Sequence, residues 1–317
     1  MKSITLKQMR YFEALARHRH FGRAAEDCAI SQPALSMKVR ELEDVVGTPL
    51  LERNARQMRL TGFGEVFLSR ARSILRSVDE LEDLSRATGA KPAGILRIGV
   101  IPTVAPYLLP SIIANLSHQF PDLSPSLRET VTSRLVTEIV DGRLDAAILA
   151  LPLSEPSLVE VALFSERFVL VRPMIDARRP VPSRDVLQEM RLLLLEEGHC
   201  FREQALSFCS MPSSRPREML DGSNLSTLVQ MVGAGIGVTL IPEMAVPVET
   251  RSAAVAVSHF PDPQPTRTIG MVWRKSSPLE QHLRQIAEVV RASATVDKHG
   301  PDAKSSDSPN VTENLSS

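Results

Sequence analysis

The sequence predicts an α/β chain built of three parts in series. These are an all-α winged helix-turn-helix domain over residues 1–62, a long linker helix over 63–88 and a two-lobed effector domain over 89–296. Three observations lead there. The N-terminal stretch holds three apolar-periodic segments broken by turn chemistry. One helical pattern then runs from Thr61 to about Ala87. After a small-residue linker, strand and helix patterns alternate to about Val290.

Leu6, Met9, Phe12, Leu15 and Ala16 recur at helical spacing over 5–18. A short helix over Gly22–Cys28 packs through Ala24 and Ala25, and Cys28 reads as a packed small hydrophobe. Ser31 is a natural N-cap, with Gln32 and Pro33 suited to a first turn, for a helix that runs to about Val46. Leu35, Val39, Leu42 and Val46 face inward, and Gly47 closes the helix. Leu50–Leu60 reads as a two-stranded wing with its turn at Asn54–Ala55. Thr61 caps the long helix, whose Phe67, Ala71, Ile74, Val78, Leu81 and Leu84 form one apolar seam. A seam of that kind serves a dimerising coiled coil or packs on its own domain.

Thr88–Gly94 is a small-residue linker. Ile95–Ile101 then reads as a strand, and Pro102–Thr103 as the opening of a helix. Asp145–Leu149, Phe168–Val171, Leu192–Leu195, Val238–Ile241 and Ile269–Trp273 are further strands of mostly parallel sheets, long enough in total for two lobes. Val232–Gly237 has a glycine-rich look, but it follows a helix and precedes a strand. That is the reverse of a dinucleotide fingerprint, so no cofactor and no metal are expected. Residues 297–317 are polar and read as a disordered tail.

Charge separates the parts. The whole chain balances 37 basic against 37 acidic residues. Residues 1–62 carry eleven Lys and Arg against seven Asp and Glu, a surplus of four. A basic module joined to a slightly acidic one fits a nucleic-acid reader attached to something else. No apolar run is long enough for a membrane span, and the first residues lack the apolar core of a signal peptide. The expected location is the cytoplasm, where thiols are normally reduced. Cys28, Cys200 and Cys209 therefore make no disulfide framework, and any disulfide among them would be transient and redox-linked.

The second helix of a helix-turn-helix enters the major groove by its N-terminal residues. Here that end offers Ser31, Gln32, Pro33 and Ser36, with Gln32 suited to adenine and Pro33 to a thymine methyl. Lys38, Arg40, Arg53, Arg56 and Arg59 are placed to reach phosphates of a double-stranded operator.

The same segment resembles the winged helix-turn-helix of LysR-type regulators. Ala24–Ala25, Ser31–Ser36, Leu42–Glu43, Gly47, Leu50–Arg53 and Leu60–Thr61 carry the likeness. The resemblance runs to about residue 294. It implies two periplasmic-binding-protein-like lobes, lobe I at about 94–165 and 268–294 and lobe II at about 166–267. It also implies a homotetramer, a dimer of dimers assembled through linker helix and regulatory domain, and contact with RNA polymerase.

Two cysteines in an α/β domain are usually inert, and spacing alone leaves Cys200 and Cys209 so. Their surroundings add more. Gly198–His199–Cys200, Arg202, Gln204–Ala205 and Phe208–Cys209 resemble the redox segment of peroxide-sensing LysR-type regulators, as do Ile101–Thr103 and Pro106–Pro110. Residues Met211–Pro216 depart from that pattern. The resemblance makes Cys200 the peroxidatic cysteine and Cys209 its resolving partner, with Thr103, Thr132, His199 and Arg202 around a peroxide pocket. Cys200 would open a short helix whose amides stabilise a thiolate, with positive charge added by His199 and Arg202. If the segment is helical, nine residues separate the two cysteines by about 13 Å, whereas a disulfide needs Cα atoms within roughly 7 Å. Pairing would then require the helix to unwind.

The expected function is a regulator, not an enzyme, that senses hydrogen peroxide and mainly activates defence genes such as catalase. A LysR-type regulator that binds a metabolite between its lobes, with structural cysteines, is the alternative. A thiol peroxidase is a third reading, which the basic helix-turn-helix disfavours.

Overall fold

A computed structural model describes residues 3–52, 58–209 and 221–296 of the chain. The N-terminal domain packs α1 (Leu6–His18), α2 (Phe21–Asp27) and α3 (Gln32–Val46) around Phe12, Leu15, Leu35 and Leu42, all fully buried. The caps explain the boundaries. Thr5 and Gln8 form a reciprocal capping box, and Ser31 Oγ accepts the Ala34 N–H. Gly47 ends α3 at φ +76°, a left-handed turn that a side chain would strain. An antiparallel bridge between Leu51 and Leu60 forms the base of the wing. The expected turn at Asn54–Ala55 lies outside the described residues, as do the tail and Met211–Pro216. Cys28 is the C-cap of α2 and packs against the domain core.

The long helix α4 (Gly62–Ala87) carries two apolar stripes where the sequence reading has one. Leu68, Ala71 and Leu75 are buried, and Ala71 and Leu75 cluster with Met9 of α1, with Phe67 packed alongside. Phe63, Val66, Ile74, Leu81 and Leu84 are exposed. The seam reading mixes the two stripes because three- and four-residue steps recur on neighbouring helix faces. Ion pairs tie α4 to both neighbours: Arg10 to Asp79 at 2.9 Å, Arg72 to Asp141 at 3.9 Å and Arg274 to Glu80 at 3.8 Å.

The effector half alternates strand and helix. Its first elements are β1 (Gly94–Val100), α5 (Ala105–Gln119), β2 (Leu123–Glu129), α6 (Thr132–Val140), β3 (Ala146–Leu151) and β4 (Leu158–Pro173). There follow α7 (Arg184–Glu189), β5 (Leu192–Leu195), α8 (Cys200–Phe208), β6 (Asp221–Gly222), α9 (Leu225–Gly233) and β7 (Val238–Pro242). The last are α10 (Val246–Glu249), β8 (Val255–His259), β9 (Thr266–Arg274) and α11 (Glu280–Val296). Strand order is β2-β1-β3-β9-β4-β7-β5-β6, with β8 also on β4.

β4 belongs to both lobes. Leu158–Arg167 pairs with β9, and from Phe168 onward its partners are β7 and β8. Two separate cores result, one around Ile98, Ile148 and Trp273, the other around Phe168, Leu193 and Val229. The sheets are mixed, not mostly parallel. β1, β2 and β3 run parallel, whereas β9 and β4 pair antiparallel with their neighbours. The cause is topological: both are crossover strands that carry the chain between lobes. The turn Pro102–Val104 also delays α5 to Ala105, two residues past the expected start, because Val104 sits at φ −128°, outside the helical region.

Candidate functional site

Cys200 is the first residue of α8, with His199 as its N-cap. One helix of lobe I begins at the same place, and the turn into another passes it. Thr103 lies in the turn before α5, and Thr132 opens α6 after its N-cap Val131. These residues, with Ile101, Pro102 and Phe201, line one narrow pocket. The N-termini of α8 and α6 thus meet there beside the turn that leads into α5, and a helix N-terminus favours negative charge. Cys200 is half-buried and packs against the core of lobe I, although α8 belongs to lobe II.

Four polar neighbours were expected in this pocket. Thr103 is there, buried at 3% exposure, and is not a helix cap: its Oγ1 accepts from Arg267 Nη1 at 2.8 Å. Thr132 is there, and its Oγ1 is buried with no partner. Such a group commonly marks the place of a ligand or a water. His199 is there too, but it brings no charge. Burial holds its pKa below the ordinary 6.5, against an opposing pull from Glu196, so the ring is neutral near pH 7. Arg202 is not among the lining residues. Its Nη1 donates to Leu195 O and to Asp221 Oδ1, both at 2.7 Å, so its charge is spent at the end of β5.

The sequence reading missed Arg267. Its side chain is fully buried, pairs with Glu166 at 2.7 Å, and donates from Nη2 to Thr103 O at 3.0 Å. It lies 5.3 Å from the Phe201 ring centre. A signal existed, since a strand-opening arginine ahead of a buried apolar run needs a buried partner. The sequence assigns Gln204 no role. It lies one turn past Cys200 on α8, and its Oε1 is buried without a partner.

Cys209 is the C-cap of α8, fully buried in the lobe II core. Burial pushes its thiol up to about 11, with Arg184 pulling weakly the other way. All three cysteines are free thiols. An α-helical rise over nine residues puts Cys200 and Cys209 about 13 Å apart along the axis.

Beside the cysteine pocket, and sharing Thr103 and His199 with it, lies a second cavity of about 90 Å³. Tyr107 of lobe I donates to Glu249 of lobe II at 2.7 Å across it, and Ser226 donates to the other carboxylate oxygen. Burial and that carboxylate both raise the Tyr107 pKa, so it stays a phenol.

On the DNA-reader surface, Gln32, Pro33 and Arg40 of α3 and Arg59 of the wing are exposed, and Ser36 and Lys38 are half-buried. Ser31 is engaged as the cap, and Lys38 pairs with Glu41 at 2.8 Å. Met37, 53% exposed on the same helix, was not singled out by sequence. Arg53 and Arg56 lie outside the described residues. Among the described residues no cluster of metal ligands occurs, and no helix is long and apolar enough to cross a membrane.

Comparison with known families decides the lineage. Residues 6–65 match the model of the bacterial regulatory helix-turn-helix protein, lysR family, and residues 89–295 match that of the LysR substrate binding domain. The chain belongs to the LysR family. Within that family its relatives are regulators of the OxyR type. The DNA-binding transcriptional dual regulator OxyR of Escherichia coli K12 is 42% identical over 293 residues, covering 91% of this chain and 95% of that protein. A probable hydrogen peroxide-inducible genes activator of Streptomyces viridosporus is 42% identical, covering 90% and 93%. Among solved structures, a full-length cysteine-to-aspartate variant of OxyR from Pseudomonas aeruginosa superposes with a TM-score of 0.72 at 34% identity, covering 91% and 95%. A cysteine-to-serine variant of Corynebacterium glutamicum OxyR with hydrogen peroxide bound gives 0.64 at 34% identity, covering 92% and 93%. The LysR fold, a helical reader ahead of a two-lobed α/β domain, is therefore that of this chain.

Proposed function

We propose that this LysR-family chain senses hydrogen peroxide through a reversible Cys200–Cys209 disulfide and controls, mainly by activation, peroxide-defence genes such as catalase. The observation that carries the reading is Cys200 at the N-terminus of α8, in one pocket with the N-terminus of α6 and its unpartnered Thr132 hydroxyl.

The chemistry balances in two steps. The Cys200 thiolate attacks one peroxide oxygen; an S–O bond forms, the O–O bond breaks, and the second oxygen leaves as hydroxide, protonated to water. Sulfur is oxidised to sulfenic acid. The Cys209 thiol then attacks that sulfur and expels a second water, leaving the disulfide. The helix dipoles and the Thr103 and Thr132 hydroxyls would stabilise the departing oxygen. No step regenerates the thiols within the chain, so it acts as a stoichiometric sensor and not as an enzyme.

The second step has a structural consequence. Cys209 is buried about 13 Å away, so α8 must unwind before the sulfurs meet. Cys200 packs on lobe I and Cys209 within lobe II, so pairing pulls Cys200 off lobe I and frees the lobes to reorient.

The rest of the reading follows from the helix-turn-helix and from the family. The reader binds double-stranded DNA with Ser31, Gln32, Pro33 and Ser36 at base edges and Lys38, Arg40, Arg53, Arg56 and Arg59 at phosphates. The exposed stripe of α4 serves dimerisation, and dimers pair into a tetramer that contacts RNA polymerase in the cytoplasm. The alternative, a metabolite held between the lobes, is opposed by the cavity there. The Tyr107–Glu249 bond already crosses it, so a metabolite there would have to displace a buried carboxylate's partner.

Thiol-alkylation mass mapping, before and after about one equivalent of peroxide, tests the proposal. A Cys200–Cys209 disulfide formed within minutes, with Cys28 still free, is expected. Cys200 and Cys209 oxidising no faster than Cys28 would overturn it and favour the metabolite-responsive regulator.

A further inference from the structure

We infer that Glu166 is a positioning residue for the reaction of Cys200 with peroxide, acting through Arg267 to make the Thr103 hydroxyl a hydrogen-bond donor into the pocket. The inference rests on the peroxide reading above.

The chain of contacts is short and buried. Glu166 Oε2 accepts from Arg267 Nε at 2.8 Å and lies 2.7 Å from Nη2 in the ion pair, and its Oε1 accepts the Met244 N–H at 3.1 Å. Exposure is 5% for the carboxylate and 0% for the guanidinium. The two residues face each other in the β4–β9 register, at the point where both strands cross between lobes. Held along its Nε–Nη2 edge, the planar guanidinium has the N–H bonds of its far edge fixed in direction. Those donate to Thr103 Oγ1 at 2.8 Å and Thr103 O at 3.0 Å.

A threonine hydroxyl has one proton to give and two lone-pair sites, and guanidinium is a donor only. Arg267 therefore fills a lone pair of Thr103 and cannot receive its proton. The O–H must point elsewhere, and the side chain lines the cysteine pocket. Donation from a charged group also polarises the O–H and strengthens it as a donor. The peroxide reaction needs such a donor, because negative charge gathers on the departing oxygen as the O–O bond breaks. Arg267 is not itself among the pocket residues, so its charge reaches that oxygen through Thr103. Glu166 keeps the arginine both neutralised and aimed.

The test compares two electrophiles on the full chain. Peroxide needs a proton donor at its leaving oxygen, whereas iodoacetamide alkylates the same thiolate with iodide leaving unaided. Quenched-flow mass mapping of Cys200 gives both rate constants. Glu166→Gln is expected to lower the peroxide rate about 10- to 100-fold while the iodoacetamide rate changes less than about threefold. Glu166→Asp recovers most of the ratio. Thr103→Val lowers the ratio with the ion pair intact, Thr103→Ser keeps it, and Glu166→Gln adds nothing in the Thr103→Val background. Equal falls in both rates, or an unchanged ratio in Thr103→Val, would overturn the inference even if the Glu166 variants do not fold. A wild-type chain whose Cys200 reacts with iodoacetamide but not with peroxide would instead overturn the proposed function.

Discussion

Cys200 and Cys209 stand at opposite ends of one helix and in opposite surroundings. The Cys200 end is half-open and polar, against lobe I, with an unpartnered hydroxyl beside it. The Cys209 end is sealed among the apolar side chains of lobe II, where burial keeps the sulfur a thiol. The difference teaches how one short segment separates two jobs. One sulfur meets the oxidant at once, and the other stays out of reach until the helix gives way.

The largest expected effect sharpens that division. Cys200→Ser abolishes the peroxide response in operator footprints. Cys209→Ser still consumes one equivalent of peroxide and stalls at the sulfenic acid, visible by mass. A Cys209→Ser chain inert to peroxide would break the comparison.

Next comes the charge behind the Cys200 end. Arg267→Met leaves Glu166 buried and unpaired, and should cost about 3–5 kcal/mol in urea unfolding. Removing the exposed Arg284–Glu280 pair should cost about 0–1 kcal/mol.

Smaller, and opposite in sign at the two ends, is the response to pH. Folding lowers the proton affinity of His199, so the unfolded chain protonates first as pH falls. Stability should drop as pH goes below about 6.5 and level off under the folded-state value, and His199→Gln should flatten that drop. Folding raises the Cys209 thiol from 9.0 to about 11, so the stability it brings is full below pH 9 and is lost as pH rises toward 11. Cys209→Ala should flatten the alkaline limb. Thermal melts across pH check both.

The smallest effect lies far from either cysteine. Arg59→Ala should weaken operator binding without changing sequence preference, and should reduce the salt slope by about one.

Much of this was legible in the residues. Ser31, Gly47 and Thr61 announce helix ends by local chemistry, and the reduced-state helix at Cys200–Phe208 follows from its pattern. Contacts between distant segments were not legible. Nothing local says that Arg202 turns to Asp221, or that Arg267 crosses to Thr103, 164 residues away in sequence. The same holds for α4, whose two stripes separate only once α1 has covered one of them. Neither could the charge of His199 be read, since it depends on burial by another lobe.

The central claim is that the two cysteines cannot pair while α8 is folded. Amide hydrogen exchange over residues 200–209, in the reduced chain and in the chain oxidised by one equivalent of peroxide, tests it most directly. The account predicts protected amides along α8 in the reduced form and loss of that protection in the disulfide form, with α9 and β5 unchanged. A disulfide form that keeps α8 fully protected would contradict it.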